Sequence, residues 1–127
     1  MIVLDASAAL SGLLNAGPAR QLLAMEQIHA PHLLDIEVVN ALRRRLAAGT
    51  LDLKPAGAAL SAWRRMGLVR YPMVPHLERI WQLRDNVSAY DATYIALAEA
   101  LDCRLITADG RLSRAPGIHC SITLVPR

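Results

Sequence analysis

Short apolar runs alternate with longer stretches of helical periodicity along the whole chain. Ile2-Val3-Leu4 is a continuous apolar run with two β-branched residues, the pattern of a strand buried on both faces. Ile28-His29-Ala30, Leu68 to Tyr71, Arg104 to Thr107 and Ile122 to Val125 are the other strand candidates. Helices are predicted between them. The first begins near Ala8, behind Asp5-Ala6-Ser7, and Gly17-Pro18 breaks it; a second runs from about Ala19 to Gln27. Leu34 to Ala48 is predicted helical, with Asp35 as N-cap and Gly49 just past its end. Ile36, Val39, Leu42 and Leu46 recur there at helical spacing and are expected to face the core, with Glu37, Asn40 and Arg44 stacked on another face. Pro55 is expected to open a helix to about Met66, and Pro75 to Arg84 forms another. Ser88 to Leu101 gives the clearest pattern, with Tyr94, Leu97, Ala98 and Leu101 on one stripe. Asp109 is placed to cap a short helix that Pro116-Gly117 ends.

Strands that alternate with helices imply an α/β fold with a parallel sheet. No repeat, low-complexity segment or linker interrupts the pattern, so residues 1–127 read as one domain. Hydrophobic residues make up 54% of the chain, and there is no Phe, so the core is expected to be aliphatic. No apolar run approaches the roughly 20 residues of a membrane helix. The first residues meet an acid at Asp5 without a basic lead-in, so no signal peptide is expected and the cytoplasm is the expected location.

Cys103 and Cys120 form no C-x-x-C pair and are expected to be reduced. His29, His32, His76 and His119 show no H-E-x-x-H spacing, which argues against zinc. Net charge is +3, and Lys54 is the only lysine. Arginine forks suit phosphate, but arginine-rich usage alone does not identify a polyanionic partner. Arg43, Arg44 and Arg45 are consecutive, so they are expected to fan around their helix as a solvated face.

The acids change the picture. Asp5, Glu37, Asp91 and Asp109 each sit where a strand or loop hands over to a helix. Each has a plain structural reading: Asp5 as an N-cap, Asp91 in a Ser88-x-x-Asp91 capping box, Asp109 in a turn, Glu37 against a helix dipole. In one parallel sheet, however, all four reach the same edge, where open α/β sheets bind ligands. Like charges gathered there call for a cation, and hard carboxylate oxygens suit Mg²⁺ or Mn²⁺. Ser7, Asn40 and Thr107 are weaker candidates: the two hydroxyls for orienting an acid, the amide for sharing a helix face with Glu37. There is no Walker A loop and no G-x-G-x-x-G.

Four segments then come in order: Ile2-Val3-Leu4-Asp5-Ala6-Ser7, Leu34-Asp35-Ile36-Glu37-Val38-Val39-Asn40-Ala41-Leu42, Tyr90-Asp91-Ala92-Thr93-Tyr94, and Leu105-Ile106-Thr107-Ala108-Asp109-Gly110-Arg111-Leu112. This order resembles the PIN-domain ribonucleases, and within them the VapC toxins of toxin–antitoxin pairs. The likeness spans essentially the whole chain; only residues 50–87 match no motif. It implies a central parallel sheet of about four to five strands with helices on both sides, and Mg²⁺- or Mn²⁺-dependent cleavage of RNA. The family's acidic positions fall on Asp5, Glu37, Asp91 and Asp109, with Asp5, Asp91 and Asp109 as metal ligands, and its hydroxyl positions fall on Ser7 and Thr107. It also implies a VapB-like antitoxin and a second copy of the chain as partners. Other readings stand beside it: an RNA-processing nuclease without an antitoxin, a non-catalytic RNA-binding module, and, more remotely, a signalling receiver domain. The last requires an acid pair after the first strand and a late lysine, neither of which is present.

Overall fold

In the computed structural model, which describes residues 1–127, five parallel strands form one sheet. They are β1 (Ile2–Leu4), β2 (Ile28–Pro31), β3 (Val69–Tyr71), β4 (Arg104–Thr107) and β5 (Ile122–Leu124), in the order β3-β2-β1-β4-β5. β1 is apolar throughout because it lies in the middle of the sheet, with helices over both faces; every one of its residues is buried. Its register places Leu4 beside Ile106 of β4, and the Asp5 N–H continues the ladder to the Ile106 carbonyl at 3.1 Å.

Seven helices connect the strands: α1 (Ala6–Leu14), α2 (Pro18–Met25), α3 (Leu33–Ala47), α4 (Leu53–Arg65), α5 (Leu77–Gln82), α6 (Ala89–Ala100) and α7 (Gly110–Ser113). The chain steps outward from β1 to β2 to β3, then jumps back across β1 to β4. Right-handed crossovers therefore put α1 to α4 on one face and α5 and α6 on the other. α6 packs against β1, β2 and β4 and is buried all round from Ala92 to Ala98, as an apolar helix laid across the middle of a sheet must be. Strand order reverses between β1 and β4, which makes their C-terminal ends the topological switch point. No helix is long and apolar enough to cross a membrane.

Four local expectations are corrected. α3 starts at Leu33, earlier than the Asp35 cap required, and His32 stands at its N-cap without a side-chain bond. Asp35 instead lies in the first turn, where its carboxylate accepts from the Trp63 indole at 2.8 Å and from both forks of Arg70 at 2.7 and 2.9 Å. The buried stripe of α3 is Leu34, Val38 and Leu42; Ile36 and Val39 are exposed and Leu46 is half-buried. Both stripes have helical spacing, and only docking against β2 and α1 selects between them. Pro55 does not open α4 but sits in its first turn, where a missing N–H has no intrahelical partner anyway. The stretch from Pro75 to Arg84 splits into a single 3-10 turn and α5. Gly49, past the end of α3, has φ 73°, the left-handed conformation that ends helices.

Candidate metal centre at the switch point

Asp5 is fixed more firmly than any other acid at this edge. It caps α1, taking the Ala8 N–H on Oδ1 at 3.0 Å. The same oxygen accepts the Ser7 hydroxyl at 2.6 Å, and Oδ2 accepts the Thr107 hydroxyl at 2.5 Å. Thr107 ends β4 and is fully buried; Ser7 lies in the first turn of α1. The two hydroxyls lie 3.3 Å apart and also tie down the next loop: Ser7 Oγ accepts the Ala108 N–H and Thr107 Oγ1 accepts the Asp109 N–H. Neighbouring strands thus deliver two hydroxyls and one carboxylate as a unit. The plain reading of Asp5 as a helix cap and its reading as a site residue hold together, because the cap bond uses one lone pair of one oxygen.

Glu37 is carried by the second turn of α3, and its carboxylate accepts the phenol of Tyr94 on α6. Tyr94 is 1% exposed, so this bond joins helices on opposite faces of the sheet across its edge. Asp91 lies one turn before Tyr94 on α6. The Ser88 hydroxyl caps that helix by accepting the Asp91 N–H at 3.1 Å, the first half of a capping box. Asp109 caps α7 and is held by Arg111 through Nε and Nη2.

The carboxylates feel one another. Burial raises the pKa of Asp5 against the lowering effect of its hydroxyl bonds, and Asp91 raises it further. Glu37 is raised by burial, opposed by the Tyr94 bond, and raised again by Asp91 and Asp5. Asp91 is raised by burial and then by Asp109. Asp109 alone is lowered, because Arg111 supplies a counter-charge. Glu37, Asp5, Asp91 and Asp109 thus influence one another's charge along one sheet edge.

No three Asp, Glu, His or Cys side chains close into a cage able to grip an ion by themselves. The donor set suits a hydrated hard cation, which binds through one or two carboxylates and keeps most of its waters. His29 takes no part: its ring nitrogens are satisfied by Tyr71 Oη at 2.5 Å and Gln27 Oε1 at 3.0 Å. Asn40 is exposed, lines the cavity beside Glu37 and accepts from Arg43 at 3.1 Å. Cys103 and Cys120 are free thiols away from this edge.

The chain and its fold have known counterparts. Residues 2–118 match the family model of the PIN domain. The chain is 55% identical to ribonuclease VapC9 of Mycobacterium tuberculosis over 127 residues, covering 100% of both. The chain belongs to the PIN-domain family, in its VapC branch. Ribonuclease VapC1 of the same organism is 47% identical, with 97% of this chain and 96% of VapC1 covered. Among solved structures, the PIN-family fold superposes on PAE2754 of Pyrobaculum aerophilum with TM-score 0.70 at 23% identity, covering 95% of this chain and 81% of that one. It superposes on VapC20 of Mycobacterium tuberculosis, a sarcin–ricin loop cleaving toxin, with TM-score 0.66 at 22% identity, covering 94% and 97%.

Sequence reasoning missed three features of this VapC-family edge. Tyr94 was placed only on a core stripe, although the Tyr90-Asp91-Ala92-Thr93-Tyr94 segment spaces it one turn from Asp91. Arg45 lines the same cavities beside Ser7 and Glu37 as Arg44, whose helical spacing already put it on the Glu37 face. Arg127 joins them there, and no local sequence signal marks it.

Proposed function

We propose that this chain is a metal-dependent endoribonuclease, the toxin of a toxin–antitoxin pair, acting in the cytoplasm. The observation that carries the reading is the hydroxyl-clamped Asp5 at the switch point, coupled to Glu37, Asp91 and Asp109, in a chain 55% identical to a named ribonuclease along its full length. Asp5, Asp91 and Asp109 are the residues that would hold Mg²⁺ or Mn²⁺. Such an ion supplies charge neutralisation at the phosphate and acidifies a bound water. Ser7 and Thr107 keep the Asp5 carboxylate oriented and offset part of the effect of its burial. Tyr94 holds Glu37 toward the pocket, where its carboxylate can take a proton from an attacking water or orient it for in-line displacement.

A partner is supported by an uncovered apolar groove of about 230 Å³ between α3 and α4, lined by Val39, Leu46, Leu53 and Leu60. Solved neighbours of the same fold include a toxin–antitoxin complex from Klebsiella pneumoniae. A VapB-like antitoxin segment is the proposed occupant, and a second copy of the chain is the further proposed partner.

The test is inducible expression of the chain and of Asp5→Asn, with new RNA ends mapped in the cell. Growth arrest with defined new ends for the wild type, and neither for Asp5→Asn, is the expected result. Equal cleavage by Asp5→Asn and Asp91→Asn purified to homogeneity would refute the assignment of the site. A small antitoxin reading frame upstream separates this reading from a processing nuclease.

A further inference from the structure

The acidic edge opens on one flank into two adjoining cavities of about 270 and 370 Å³. Ser7 lines the first and Glu37 the second; Ala6 and Ala41 floor both, and Arg44, Arg45 and Arg127 line both. The small floor residues leave the space open. Arg44 and Arg45 come from the C-terminal half of α3. Arg127 is brought in by the chain after β5, where the Val125 N–H bonds to the Thr107 carbonyl at 2.8 Å and the Pro126 carbonyl accepts the Ser11 hydroxyl at 2.5 Å.

These three cations form no ion pair, although Arg127 is near enough for its charge to lower the pKa of Asp109. None takes part in a salt bridge, although Arg70, Arg79, Arg104 and Arg111 each do. Glu37 shares a cavity with all three but is bonded to Tyr94 instead. Arg127 makes one bond, from Nε to the Ala108 carbonyl at 3.3 Å, which leaves its terminal nitrogens free. The opposite flank differs. Its cavity of about 290 Å³, lined by Asp91 and Asp109, has Arg111 as its only basic residue, and that guanidinium is bonded to Asp109. A polyanion approaching a cluster of carboxylates is repelled by it and must be held from beside it. Guanidinium forks are suited to that task, because they match phosphate oxygens in pairs.

Resting on the ribonuclease reading, we propose that Arg44, Arg45 and Arg127 form a subsite that grips backbone phosphates of a single RNA strand on one flank of the acidic pocket. The strand is thereby anchored on one side of the cut and free on the other. These residues position substrate and take no part in bond breaking, so they act on binding rather than turnover.

The test uses the full chain and a fluorescein-labelled single-stranded RNA oligomer of mixed sequence, with chelator present so that nothing is cut. Fluorescence anisotropy gives the affinity across a salt series. Replacing all three by glutamine is expected to lower the slope of log affinity against log salt by about 2, at about 0.7 per phosphate contact on a single strand. Arg44→Gln alone, at an exposed position, is expected to lower it by about 0.7 and safeguards the test against misfolding of the triple variant. Arg64→Gln is the control: Arg64 lies in the last turn of α4, which feeds the opposite end of the sheet, and its loss should change nothing. In Mn²⁺ the triple variant should raise KM about tenfold while kcat stays within about twofold. An unchanged slope, or an equal drop for Arg64→Gln, overturns the subsite. A wild-type chain that binds with the full slope yet cuts no RNA refutes the ribonuclease reading and leaves the subsite standing.

Discussion

Thr107→Val removes one buried hydroxyl and keeps the shape of the side chain. Two bonds go with it: the one donated to Asp5 Oδ2 at 2.5 Å and the one accepted from the Asp109 N–H at 3.0 Å. Thr107 is 0% exposed and Asp5 is 5% exposed, so water cannot take the hydroxyl's place. A hydrogen bond to a charged group contributes about 1.5–3 kcal/mol, and a stranded, partly buried N–H costs about 1 kcal/mol. Valine needs no partner of its own, which offsets part of the loss, so the net cost should be about 2–3 kcal/mol. With a urea slope of about 2 kcal/mol/M, the unfolding midpoint should fall by about 1 M. Thr107→Ser keeps both bonds and loses one methyl, so it should cost only about 1 kcal/mol. The cost of Thr107→Val should shrink by about 1 kcal/mol in an Asp5→Asn background, where the charge on the acceptor is gone. Urea unfolding of the wild type, Thr107→Val, Thr107→Ser, Asp5→Asn and the Asp5→Asn/Thr107→Val double variant at neutral pH, without divalent metal, measures all of this. The reasoning fails if valine and serine cost the same, or if valine costs under about 0.5 kcal/mol.

Burial and mutual repulsion raise the pKa values of Asp5, Glu37 and Asp91, so the native state holds their protons to higher pH than the unfolded chain does. Stability from this source is present below the ordinary carboxylate range and is lost as pH rises through the raised values. Asp91→Asn should therefore gain stability over the metal-free wild type as pH climbs across that window, measured as the difference between paired thermal melts; a gap that narrows with rising pH would count against it. Mn²⁺ should reverse the effect, stabilising the wild type by about 2.7 kcal/mol at a hundredfold excess over Kd and Asp91→Asn by much less. Asp35→Ala should cost about 1–2 kcal/mol in urea unfolding, because it strands the indole N–H of Trp63, which is 2% exposed. Arg70→Ala should cost under about 1 kcal/mol, since both members of that pair are about a third exposed and solvent screens them; a larger loss for Arg70 than for Asp35 would contradict the geometry. In cells, Asp5→Asn should abolish toxicity while the protein still accumulates, read by growth curves and immunoblot.

The strands were legible because a strand with helices over both faces favours apolar side chains and admits a polar one only with a partner, as Thr107 has in Asp5, so β1 reads Ile2-Val3-Leu4 and then stops at Asp5. The handover acids were legible for a related reason. A residue that leaves a central strand and caps a helix has its position fixed by the two elements it joins, and parallel strands carry such residues to one edge. Asp5 and Asp109 follow this rule directly, and Asp91 follows it through the Ser88 cap.

What local pattern could not supply was rotation and long-range closure. Two apolar stripes on α3 have helical spacing, and only the surface that α3 meets chooses Leu34, Val38 and Leu42 over Ile36 and Val39. The same choice turns Glu37 to Tyr94 and brings Arg44 and Arg45 together, which consecutive numbering alone would not suggest. Arg127 reaches the site only because the chain after β5 is tied to Thr107 and Ser11. By itself, then, the sequence determined the elements, the parallel sheet and which acids reach its edge, because burial and capping are local constraints. The tertiary structure decided which hydroxyls clamp Asp5, which phenol holds Glu37 and which arginines remain unpaired, because those depend on how helices from opposite faces meet at the switch point.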